Sequence, residues 1–147
     1  MSDGRPVIGS EAGEEKKAMG HVKRFEDLVA WQKGRELAVQ IYRATGRGGL
    51  AGDFGLREQM QRSAVSVPSN IAEGFERGSA AEFHRSLSTA KGSCAELRTQ
   101  LYIAHDVGYL ISENFQPLMA KAEEVGRIVG GLRSAVGKQR GNRRSKP

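Results

Sequence analysis

A chain of 147 residues with 38% hydrophobic content and a formal net charge of +6 is large enough for one cored domain and too small for two. Its single cysteine, Cys94, excludes an intramolecular disulfide framework and fits a reducing compartment. No run approaches the roughly 18 apolar residues that a bilayer-spanning helix needs, and the first residues lack an apolar signal-type core, so the expectation is a soluble cytoplasmic protein with no membrane association.

The charge is uneven. Residues 138–147 (KQRGNRRSKP) carry five basic residues and no acid, whereas residues 21–137 carry fifteen basic and thirteen acidic ones. Residues 1–20 have no sustained apolar period. Three parts are therefore expected: a disordered N-terminal segment (1–20), a helical domain (21–137) and a disordered basic tail (138–147). A tail holding Lys138, Arg140, Arg143, Arg144 and Lys146 reads equally as a nucleic-acid-binding arm or as a solubilising terminus.

Within the domain the sequence predicts four helices and no strands. The first covers about 28–45, with Asp27 as N-cap, a stop at the GRGG run 46–49, and apolar positions Leu28, Trp31, Leu37, Ala38 and Ile41. The second covers about 54–77 after an Asp53 cap, with a seam of Leu56, Met60, Ser63, Val67, Asn70 and Gly74. It contains Pro68, which lacks the N–H that would reach the carbonyl of Ala64. The helix is therefore expected to kink, with Ser66 or Ser69 satisfying the freed carbonyl.

Ser79-Ala80-Ala81-Glu82 has the form of a capping box, in which Ser79 and Glu82 satisfy each other's backbone N–H groups. The third helix then runs to about 107, its seam Phe83, Leu87, Ala90, Cys94, Leu97, Leu101 and Ala104 holding a heptad for three repeats. The fourth starts near 112–114 with Pro117 in its first turn, and its seam is Phe115, Leu118, Ala122, Val125, Val129, Leu132 and Val136. Two long heptad helices joined by about five residues must run antiparallel, and two shorter ones complete an all-α, up-down-up-down four-helix bundle. Small seam residues favour close helix approach and further burial in a homo-oligomer.

The segments FEDLVAWQKGRELA (25–38), QMQRSA (59–64), SVPSNIAEGF (66–75), Glu82-Phe83 and AKGSCAEL (90–97) together resemble the bacterial four-helix bundle family labelled "S23 ribosomal protein", encoded in intervening sequences of large-subunit ribosomal RNA genes. The resemblance spans about 25–136 and leaves out both ends. The family is similar in fold to the accessory variability proteins of diversity-generating retroelements, barrel-like homopentamers that bind nucleic acid and associate with a reverse transcriptase. The resemblance thus implies a four-helix bundle, assembly as a homopentamer and RNA or DNA binding. It implies no catalytic activity and no cofactor.

Candidate site residues follow from charge and register. His84, Lys91, Arg98 and His105 recur every seven residues, so they form a stripe beside the seam of the third helix. Lys91 and Arg98 there would face phosphates, or else pair with acids of a neighbouring helix such as Glu36 or Glu58. Pro68, Asn70, Glu73 and Gly74 are candidates for specifying structure and oligomeric state: a seam Asn fixes register, and a network of Asn70, Glu73 and Arg77 is expected. A pocket lined by Asn70 and Glu73 is the alternative.

Catalytic and metal roles find no support. Di-iron bundles need Glu-x-x-His pairs, but Ala81 and Tyr102 stand three residues before His84 and His105. Cys94 lies on an apolar seam as a small hydrophobe, and no phosphate loop, nucleophile elbow or dinucleotide fingerprint occurs. The expectation is a non-enzymatic, self-assembling bundle that binds nucleic-acid backbone. A protein adaptor docking a partner enzyme such as a reverse transcriptase is the other reading.

Overall fold

The computed structural model describes residues 22–145, with side chains through Gln139. The expected N-terminal segment therefore lies outside the described residues. After a single 3-10 turn (Phe25–Asp27) come five helices: α1 (Val29–Thr45), α2 (Gly48–Gly52), α3 (Phe54–Glu76), α4 (Ala80–Asp106) and α5 (Ser112–Ser145). No strand occurs among the described residues.

The four long helices form a closed ring in which α1 packs on α3 and α5, and α4 packs on α3 and α5. Side-chain pairings fix the directions. Ser66 of α3 meets Ser93 of α4, and Gly74 abuts Ser86, so residue numbers rise along one helix as they fall along the other. Across α4 and α5, Cys94 lies against Gly126, Ser88 against Arg133 and His84 against Gly137, again antiparallel. The bundle is held by its apolar interior. All seven predicted seam residues of α4 and all seven of α5 are buried, each fully buried Leu contributing about 1.5–3 kcal/mol.

Helix ends depart from expectation in instructive ways. Asp53 caps α3 by accepting from the Leu56 N–H at 3.1 Å, as its sequence position predicts. Asp27 does not cap α1. It is the last residue of the 3-10 turn, and Leu28 takes the N-cap position with no side-chain bond. Only half of the capping box forms: Ser79 Oγ accepts from the Glu82 N–H at 3.1 Å, but the Glu82 carboxylate is drawn to Arg85 at 2.7 Å. Gly78 and Gly108, with φ of +82° and +87°, supply the left-handed turns that end α3 and α4.

The GRGG run ends α1 but also opens an unpredicted helix, α2, which delivers Leu50 fully buried to the core. At the other end, α5 continues to Ser145, through positions expected to form a disordered tail, and Val136 is the last buried side chain among the described residues.

Helix α3 is continuous across Pro68. Ser66 is not turned to the Ala64 carbonyl. Its hydroxyl lies 2.8 Å from Ser93 Oγ on α4 and accepts from Asn70 Nδ2 at 2.9 Å. Asn70 also donates to the Ser66 carbonyl at 2.8 Å. Ile71, not Asn70, takes the fully buried position, and Asn70 sits half-buried at the edge of the interface. The predicted network forms only in its Glu73–Arg77 half, and Asn70 stands apart from it. Glu73 pairs with Arg77 at 2.9 Å between exposed side chains, while Asn70 joins the Ser66–Ser93 bridge between helices. A Ser66→Ala variant should strand the buried Ser93 hydroxyl and cost about 1 kcal/mol, read by urea unfolding.

Candidate nucleic-acid interface

The predicted stripe on α4 borders the groove between α4 and α5. Lys91 and Arg98 are exposed, and no carboxylate lies within 4.0 Å of either among the described residues. The acids proposed as their partners are engaged elsewhere. Glu36 binds Lys121 of α5 at 2.6 Å and Lys33 at 3.7 Å, and Glu58 binds Arg62 at 2.9 Å. The hydrogen bond from Lys121 holds the Glu36 carboxyl below its ordinary value of 4.5. This pair therefore stabilises the fold above that value, and the contribution fades as pH falls through the lower folded value.

The two histidines at the ends of the stripe lie against neighbouring elements. His105 Nδ1 lies 2.8 Å from the Leu110 carbonyl, and its ring stacks on Phe115 at 4.4 Å, so it secures the α4–α5 turn. His84 lies against Gly137, where a methyl group would come within 3.4 Å of its ring.

Between these ends is a depression of about 270 Å³ bordered by Lys91, Cys94, Arg98, Glu123, Gly126, Arg127 and Gly130. The glycines on α5 leave its wall low. A methyl group on Gly130 would approach Lys91 Cε at 3.7 Å, so the aliphatic stem of Lys91 lies across that position. Arg127, exposed on the facing helix, adds a third cation without a carboxylate within 4.0 Å among the described residues. The sequence reading missed it. Its signal was its place eleven residues before Lys138, three helical turns, which puts both on one face of α5.

From Gly126 to Lys138 the track along α5 is about 18 Å long, comparable with the rise of roughly five base pairs. Arg133 lies along it, with Nε donating to Ser88 Oγ at 2.7 Å. Lys138 is exposed. The side chains of Arg140, Arg143 and Arg144 and all of Lys146 lie outside the described residues, although the helix backbone carries positions 140, 143 and 144. Burial pushes the Cys94 thiol up to about 11, so it stays protonated at neutral pH, as a small apolar core residue should.

The other predicted residues lie away from this groove. Gly74 is buried against Ser86 and Phe83 of α4, and Pro68 lines a separate apolar groove between α1 and α3. Asn70 and Glu73 bond to different partners, Ser66 and Arg77. Among the described residues no three His, Cys, Asp or Glu side chains are grouped to hold a metal ion, and no helix is long and apolar enough to cross a membrane.

These features define a class: an antiparallel helical bundle with a basic groove between its last two long helices. The family model for 23S rRNA-intervening sequence protein matches residues 26–131, and the chain belongs to that family. A crystal structure of a protein of unknown function from the S23 ribosomal protein family of Bacteroides thetaiotaomicron VPI-5482 is similar in fold, with a TM-score of 0.63 at 24% identity over 69% of this chain and 94% of that one. A search of curated proteins found no match.

Proposed function

We propose that this protein is a non-enzymatic, self-assembling bundle, a homopentamer as the family resemblance implies, that binds RNA or DNA through the phosphate backbone. The observation that supports this reading is the set of exposed cations without carboxylate partners, Lys91, Arg98 and Arg127, on the α4–α5 groove, aligned with Lys138 and the basic end of α5. Cations held apart from carboxylates remain free to displace counterions from phosphates, the term that dominates sequence-independent binding. Base stacking contributes little, because a single aromatic, the half-exposed Tyr102, lies beside the stripe on α4, and a stacking platform needs several. The family's name, intervening-sequence protein of 23S rRNA, makes structured RNA the first ligand to try.

Fluorescence anisotropy with structured RNA and duplex DNA tests the proposal. Micromolar or tighter binding that weakens steeply with salt is the expected result. A chain ending at Gly137, which keeps Val136, the last buried side chain among the described residues, separates the groove from the basic end. Absence of binding even at low salt would overturn the nucleic-acid reading and leave the adaptor reading in its place.

A further inference from the structure

On the side of the ring away from the basic groove, α1 and α3 border an apolar groove of about 700 Å³. Pro68 and Ala72 form its α3 side, and Gly34 lets α1 close on Pro68, since a methyl group there would lie 3.5 Å from the proline ring. Its rim residues Val39, Tyr42 and Val65 are 42%, 50% and 40% exposed. Only two charged residues line the groove, Arg35 and Arg43, and neither has a carboxylate within 4.0 Å among the described residues.

A second apolar feature lies at one end of the bundle. Around the tip of the α4–α5 hairpin, Ile103, Val107 and Ile111 are 46%, 58% and 60% exposed. Asp106 and Glu113 flank them, and neither has a cation within 4.0 Å among the described residues. One chain thus presents an apolar groove with two unpaired cations and an apolar hairpin tip with two unpaired anions. Exposed apolar patches of this kind mark contact surfaces.

We infer that the α4–α5 tip of one copy seats in the α1–α3 groove of the next. The inference rests on the self-assembly reading and specifies its geometry. Pairing groove with groove would set Arg35 and Arg43 against their own copies, which like-charge repulsion opposes; pairing tip with groove sets them against Asp106 and Glu113. Because the two surfaces differ and lie on separate parts of the bundle, the contact is heterologous, and its repetition closes a ring or extends a filament. The basic α4–α5 groove is left uncovered on its own side of every subunit.

Mass measurement by light scattering on three full chains tests this: wild type, a groove variant (Tyr42→Glu with Val65→Glu) and a tip variant (Val107→Glu with Ile111→Glu). The altered side chains are exposed, and circular dichroism verifies that the helices persist. Wild type should be a multimer and each variant alone a monomer. An equimolar mixture of the two variants should form a heterodimer and stop, because one intact tip and one intact groove remain. A tip variant that assembles as wild type does, or a mixture that stays monomeric, would overturn the tip-in-groove contact. A monomeric wild type would instead overturn self-assembly itself.

Discussion

A Gly74→Leu variant should lose the native bundle, and Gly74→Ala should destabilise it by about 1–3 kcal/mol. A Cβ at this position would stand 2.4 Å from Ser86 Cβ, 2.7 Å from Ser86 Oγ and 3.2 Å from Phe83 Cδ1. The first of these atoms is fixed to the α4 backbone, so rotation of a side chain cannot relieve the contact, and α3 and α4 must separate. Separation would also loosen the Ser66–Ser93 bridge and the edge-on packing of Phe75 against Phe83, whose ring centres are 5.8 Å apart. Alanine is the better helix former by about 1 kcal/mol, so propensity and packing predict opposite signs. Urea unfolding followed by circular dichroism decides between them. A stabilised Gly74→Ala protein would show that close approach of α3 and α4 is not what this glycine provides.

Reversing charge at two exposed positions should act on binding and leave folding nearly untouched. Lys91→Glu combined with Arg98→Glu would remove two of the proposed phosphate contacts from the α4–α5 groove. The slope of log affinity against log salt for duplex DNA should then become shallower by about 1.8, with affinity at low salt falling roughly tenfold or more. Neither residue has a carboxylate partner among the described residues, so stability should change by less than about 0.5 kcal/mol. Circular dichroism and unfolding on the same preparation check that half of the prediction. Cys94, at the base of the groove, provides a third check. Its thiol, raised to about 11 by burial, should react slowly with thiol reagents at neutral pH in both proteins.

The long hairpin was legible because α4 and α5 each repeat an apolar residue every three or four positions, and every seam residue named for them is buried. Helix α2 was not, since five residues with three glycines show no period and form only because Leu50 finds the core. The Asn70 position misled for a different reason. Helix α3 packs on both α1 and α4, so its buried face is wider than one seam and takes in Ala64 and Ile71, while Asn70 turns to its own backbone. In the site, the seven-residue spacing of Lys91 and Arg98 was visible along one helix. Arg127 and the glycine wall formed by Gly126 and Gly130 belong to the facing helix, and their register across the groove depends on how the α4–α5 hairpin closes. A local pattern cannot encode that.

The decisive measurement is the salt dependence of structured-RNA binding by the wild-type chain and by the Lys91→Glu/Arg98→Glu variant in parallel. Wild type should bind with strong salt sensitivity, and the variant should bind more weakly with a shallower salt slope. Equal affinities and equal slopes would contradict the proposed function, because the α4–α5 groove would then carry none of the phosphate contacts.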